Sequence, residues 1–90
     1  MRITFDPVKR EMTLARRGLD FARAGEVFDG VNVTMRDTRF NYGEAREITV
    51  GYLDEQVVVL VWTLRGSARR IISMRRANER EIKKYANDLG

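Results

Sequence analysis

Trp62–Tyr85 reads WTLRGSARRIISMRRANEREIKKY, a turn, a strand and a capped helix in succession. Gly66-Ser67 supplies the turn residues, and Ala68–Arg75 follows as a strand. Asn78 with Glu81 three residues on has the form of a capping box, in which side chains satisfy the free N–H groups of a helix start. The helix it opens should bury Ile82, Tyr85, Ala86 and Leu89. From Arg65 to Arg76 there are five arginines and no acidic residue, set beside Ile71, Ile72 and Met74. A guanidinium is a rigid fork of donors that fits a phosphate bidentately. Several of them held on a strand suit an RNA or DNA backbone.

Working back from this stretch, Val57–Trp62 is continuously apolar and β-branched, which predicts a central strand covered on both faces. Asp54-Glu55 makes a tight reversal, and Arg46, Ile48, Val50 and Tyr52 alternate along the strand before it. Asp37–Gly43 reads as a polar loop with Asn41 and Gly43 as turn residues. Val31, Val33 and Met35 alternate with Asn32 and Thr34, a half-buried strand. Before Gly30 the period is helical. Asp20 caps a short helix with Phe21, Ala24 and Phe28 inward, and Asp6-Pro7 opens a longer one. In the longer helix Val8, Met12 and Ala15 recur at helical spacing as an inward stripe, and Gly18 is its left-handed stop. Ile3–Phe5 is a short first strand.

The order is β-α-α-β-β-β-β-α, with strands near 31–36, 46–52, 56–64 and 68–75 and helices near 7–17, 21–29 and 78–88. Short connections make the last four strands an antiparallel meander. Helices on one face of it give a two-layer α+β fold. On the last strand, simple alternation puts Arg69, Ile71, Ser73 and Arg75 on one face and Arg70, Ile72 and Met74 on the other.

Ninety residues with 43% hydrophobic and 33% charged content suit one domain over 1–90. The net charge of +4 tilts the choice of partner toward nucleic acid or an acidic protein. There is no cysteine and no histidine, so thiolate and imidazole metal sites and the commonest general base are all excluded. No signal peptide is visible, and the apolar run at Val57–Trp62 is too short to span a membrane. A cytoplasmic protein with no cofactor is the expectation.

Further motifs link these segments. Phe5-Asp6-Pro7-Val8-Lys9 is followed by Gly18-Leu19-Asp20-Phe21 and by Val27-Phe28-Asp29. Glu44-Ala45-Arg46 precedes a strand with Gly51. Thr63-Leu64-Arg65-Gly66 leads to Arg70-Ile71-Ile72-Ser73-Met74-Arg75, Ala77, Glu81 and Tyr85. In this order and over nearly the whole chain they resemble the BrnT family of toxins from type II toxin–antitoxin modules. The resemblance implies a fold similar to RelE-type ribonuclease toxins, an RNase that arrests growth, and an antitoxin with a ribbon-helix-helix DNA-binding part. The expected assembly is a 2:2 heterotetramer that meets DNA only through the antitoxin, which should cover the Arg-rich face. Three positions depart from the family pattern. Thr13 and Arg17 stand where it often has Asn and His, and Phe5 replaces a common Trp.

Metal-independent RNA cleavage requires deprotonation of the 2′-OH, stabilisation of the pentacoordinate phosphate and protonation of the leaving 5′-oxygen. Arg46, Arg65 and Arg75 match the family motifs and are the phosphate-cradling candidates, with Arg65 and Arg75 expected to converge from adjoining strands. Guanidiniums stay protonated, so Glu44 or Tyr85 would move the proton. Thr63, Arg69, Arg70 and Arg76 are RNA-binding candidates. The plain alternatives are a solvated basic face or pairs with Glu44, Glu47 and Glu55. Thr63, Trp62 and Tyr85 have ordinary strand or core readings beside their functional ones. Lys9 and Arg10 read as solvated, with antitoxin contact as the alternative. A non-catalytic RNA- or DNA-binding module, or a degenerate toxin acting only through its partner, is the competing function.

Overall fold

The apolar run Val57–Trp62 lies inside the sheet. In the computed structural model, which describes residues 1–90, it belongs to strand β4 (Gln56–Arg65), between β3 (Arg46–Leu53) and β5 (Ala68–Arg76). β2 (Asn32–Asp37) pairs with β3, and β2 to β5 form an antiparallel meander. The expectation of a four-stranded antiparallel sheet is nevertheless corrected. β1 (Arg2–Phe5) joins as a fifth strand parallel to β5, with Arg2 opposite Ala68 and Phe5 opposite Ile71. The sheet is mixed, in the order β1-β5-β4-β3-β2. Four residues at one end of the chain carry no signal of a partner strand near the other.

The two-layer arrangement is corrected as well. Leu53, Val58, Leu60, Trp62, Ile71 and Met74 pack with Leu19, Phe21, Ala24 and Val27. Those last four come from the segment leading through a 3₁₀ turn (Phe21–Arg23) into helix α2 (Ala24–Asp29). On the opposite face Val50 and Val59 pack with Leu89 of helix α3 (Glu79–Leu89), beside Met35, Ile48 and Tyr85. Helices therefore lie on both sides. A central strand apolar at every position needs cover on both faces, and α3 supplies the second cover.

Local chemistry sets the boundaries. Asp6 accepts the Val8 N–H at 2.9 Å to open helix α1 (Pro7–Arg17), which ends at Gly18 with φ 69°. Asn78 and Glu81 form the complete capping box, each side chain accepting the other's backbone N–H at 2.9 Å. Asp54 and Glu55 form the β3–β4 hairpin turn at φ 51° and 66°. Both are non-glycine residues in the left-handed region, and Arg23 holds Asp54 through bonds of 2.6 and 2.7 Å.

Three further expectations fail. Val8 and Met12 are exposed and no residue of α1 is buried. Ile82 and Ala86 of α3 face solvent, leaving Leu89 buried and Tyr85 half-buried. β5 also contains a bulge: Val61 pairs with Ser73 but Trp62 pairs with Ile71, so Ile72 is an extra residue. The bulge reverses the alternation, and Ile71 and Met74 enter the same core. Arg75 shares its face with Arg70 and Ser73, toward α3, and Arg69 points to the other side.

Candidate nucleic-acid interface

The α3 side of the sheet is built from rows of cross-strand neighbours. Ile48, Val61 and Ser73 form one row, and Val50, Val59 and Arg75 the next. Beyond them, toward the β4–β5 turn, Thr63 pairs with Arg70. α3 covers this face only in part. A groove of about 300 Å³ remains, with Ile48, Val59 and Val61 in its floor and Arg39, Arg75, Glu81 and Tyr85 around it.

Arg75 donates to both carboxylate oxygens of Glu81 at 2.8 Å. That pairing pulls the Glu81 carboxyl down to about 2 and raises Arg75 above its ordinary value, with the positive charge of Arg39 opposing the rise. Arg39 in turn forks onto Asp37 at 2.8 and 2.9 Å, and the Asp37 side chain is wholly inaccessible to solvent. The Arg39 bonds hold that carboxyl far below the usual carboxylate range. Each guanidinium has five donors and a carboxylate takes two, so both arginines keep N–H groups for an incoming phosphate while being fixed in place.

The loop between β2 and β3 adds a component that the sequence reading missed. Phe40 is 70% exposed and stands edge-to-face against Tyr42 at 5.8 Å. The Arg46 guanidinium lies 4.0 Å from the centre of the Tyr42 ring, and the Tyr42 hydroxyl donates to Asp37 at 3.2 Å. The signal was present in Arg39-Phe40-Asn41-Tyr42, where aromatic and polar residues alternate beside an arginine. Reading the segment only for its turn residues hid it.

The other candidates separate. Arg46 and Arg65 converge on Glu44, at 3.4 and 3.2 Å. Glu44, Thr63 and Arg65 line a second groove of about 380 Å³. Arg65 and Arg75 do not converge. Arg65 sits opposite Ala68 at the hairpin and Arg75 opposite Val59, which puts about 20 Å of strand between them. Thr63 is buried and donates to the Ala45 carbonyl at 2.7 Å, a structural bond. Trp62 donates to Thr49 at 2.8 Å and is core. Tyr85 borders the groove with its hydroxyl on Met35 Sδ at 3.2 Å.

Arg69 stacks over Phe28 at 4.0 Å on the opposite face, its Nε without a partner. Arg70 stays on the groove face. Arg76 donates to Gln56 at 2.6 Å and to the Arg17 carbonyl. Arg10, read as solvated, forks onto Asp20 at 2.8 Å and ties α1 to the turn before α2. Thr13 and Arg17 lie together in a cleft between α1 and β5, which Ser73 also lines.

The family described as "Ribonuclease toxin, BrnT, of type II toxin-antitoxin system" matches residues 5–81. The chain belongs to the BrnT family. A BrnT chain of a type II module has a protein antitoxin as its partner. No curated protein matches the sequence. No helix of this BrnT chain is long and apolar enough to cross a membrane.

Proposed function

We propose that residues 1–90 form a RelE-like toxin domain that cleaves RNA without a metal and binds it along the groove beneath α3. The observation that carries this reading is the meeting of Arg39 and Arg75 at an open groove, next to a loop that presents Phe40 and Tyr42. Arginines grip the phosphate and offset the charge that develops on it, and aromatic faces stack bases without regard to sequence. Arg46 braces the loop from beneath, and Arg70 extends the positive surface along β5. Arg65 and Glu44 line the second groove and would meet RNA there.

With no histidine in the chain, the proton must be moved by another group. Glu81 lies at the groove, but a carboxyl held near 2 is a weak base at neutral pH. Tyr85, whose hydroxyl is tied only to a thioether, is the candidate for protonating the leaving 5′-oxygen, and Glu81, weak as it is, for accepting the 2′-OH proton. The antitoxin is of the ribbon-helix-helix type, and the complex is a 2:2 heterotetramer that reaches DNA through it.

The test is expression with and without the neighbouring open reading frame, with RNA cleavage assayed in excess EDTA. Growth arrest relieved by the neighbour, with cleavage that survives EDTA and falls in Arg75→Ala and Tyr85→Phe, is the expected result. RNA binding without cleavage would favour the non-catalytic module.

A further inference from the structure

α1 is amphipathic, yet its apolar stripe covers nothing. Val8 is 66% and Met12 45% exposed. Between α1 and β5 runs a cleft of about 250 Å³. Met12, Phe21 and Ile72 give it apolar walls, and Lys9, Arg16 and Arg17 stand around it with no acidic residue among its lining. Topology leaves this place open. β1 ends opposite Ile71, so β5 has no strand on that side from Ile72 onward, and the bulge begins there. Arg17 donates to the Met74 carbonyl at 2.9 Å and accepts from Arg76, which fixes the helix against the strand.

The cations of this cleft differ from the four arginines that have acidic partners at the two grooves of the sheet. Arg39, Arg46, Arg65 and Arg75 each have a carboxylate of the chain itself. Lys9, Arg16 and Arg17 take part in no ion pair. Unpaired positive charge is thus present on α1, as it is on Arg69, Arg70 and Arg76 of β5, and on α1 it stands beside the exposed Met12.

We propose that the α1–β5 cleft is the docking site of the antitoxin and receives an acidic amphipathic segment of it. This deepens the toxin reading above and rests on it. An RNA backbone would pair with the cations but leave the exposed Met12 and the half-buried Ile72 unused. A protein segment with apolar side chains on one face and carboxylates on its margins uses both, the apolar anchors giving affinity and the charges register and on-rate. Ser73 lines this cleft and also the groove beneath α3. A segment seated here borders the proposed RNA path, so docking and inhibition need only one contact surface.

The experiment titrates the purified product of the adjacent open reading frame onto wild-type toxin and onto Met12→Glu, Arg16→Glu and Phe40→Ala. Both α1 side chains are exposed, so thermal melting of each variant should match wild type. Antitoxin affinity should fall at least about tenfold in Met12→Glu and in Arg16→Glu and stay at the wild-type level in Phe40→Ala. Wild-type affinity in both α1 variants would overturn the proposal. So would loss of RNA binding in Arg16→Glu with antitoxin binding intact, which would make the cleft an RNA site. A free toxin that sediments as a dimer, and as a monomer after Met12→Glu, would assign the face to a second copy of the chain. Toxin that binds antitoxin in the expected pattern yet cleaves no RNA would count against the ribonuclease reading alone and leave the docking site standing.

Discussion

Single side chains at the groove divide into those that hold the fold and those that do not. Phe40 makes no core contact, being 70% exposed. Phe40→Ala should lower RNA affinity by roughly tenfold, the worth of one stacked base. Its unfolding temperature should stay unchanged, as thermal melting beside filter binding would show. Arg75 has two roles, because removing it leaves the Glu81 carboxylate without its bidentate partner. Arg75→Ala should cost roughly 100-fold in cleavage together with a lower melting temperature, and Arg75→Lys should restore more of the stability than of the cleavage. Arg65→Ala should be the milder change in both measurements, since its contact with Glu44 is long, at 3.2 Å, and the arginine is half exposed. Equal losses in the two alanine variants would mean that distance from the groove does not matter.

Among the elements, β3 and β5 show how far the sequence could be read. The alternation of Ile48 and Val50 marked β3 as a strand but not its burial, which is two-sided: Thr49, Gly51 and Leu53 are buried on the α2 side and Val50 on the α3 side, while Tyr52 is exposed. Gly51 was legible only as a strand glycine. In the structure a Cβ there would lie 2.8 Å from Val27 Cγ1 and 3.1 Å from Asn32 Cβ. Val27 is fully buried and cannot swing aside. Gly51→Ala should destabilise by about 1–3 kcal/mol, the usual cost of overpacking, measured by denaturant unfolding. β5 misled because alternation assumes an unbroken ladder. One extra residue at Ile72 sends every side chain after it to the opposite face. No residue type marks that position, so Arg75 could be identified as a candidate but not aimed. α1 misled for a different reason: its stripe is genuine, but periodicity shows which face is apolar and not whether this chain or another covers it.

At the scale of the whole molecule, most carboxylates are held in internal ion pairs, and this makes a statement about pH. Glu81 falls from an ordinary 4.5 to about 2 on folding, and Asp37 is lowered too. A depressed carboxyl stabilises the fold above its unfolded value, and that stability is lost as pH falls toward the folded value. The melting temperature should therefore hold steady from about pH 8 to pH 5 and decline from about pH 4.5 toward pH 2. Glu81→Gln should flatten part of the decline. The absence of histidine removes the group that would otherwise titrate near pH 6.5. A steep loss of stability between pH 7 and pH 6 would contradict this account.

The pairing of β1 with β5 also fixes an order of events during synthesis. Arg2–Phe5 has as its neighbour a strand far along the chain, Ala68–Arg76, which is made later. Until β5 has emerged, Ile3 and Phe5 have no core to join and α1 has no strand to be latched against. Contacts this distant in sequence form late. The latch of α1 and the cleft beside it, which Ile72 and Ser73 help to line, are therefore completed only when β5 has joined the sheet.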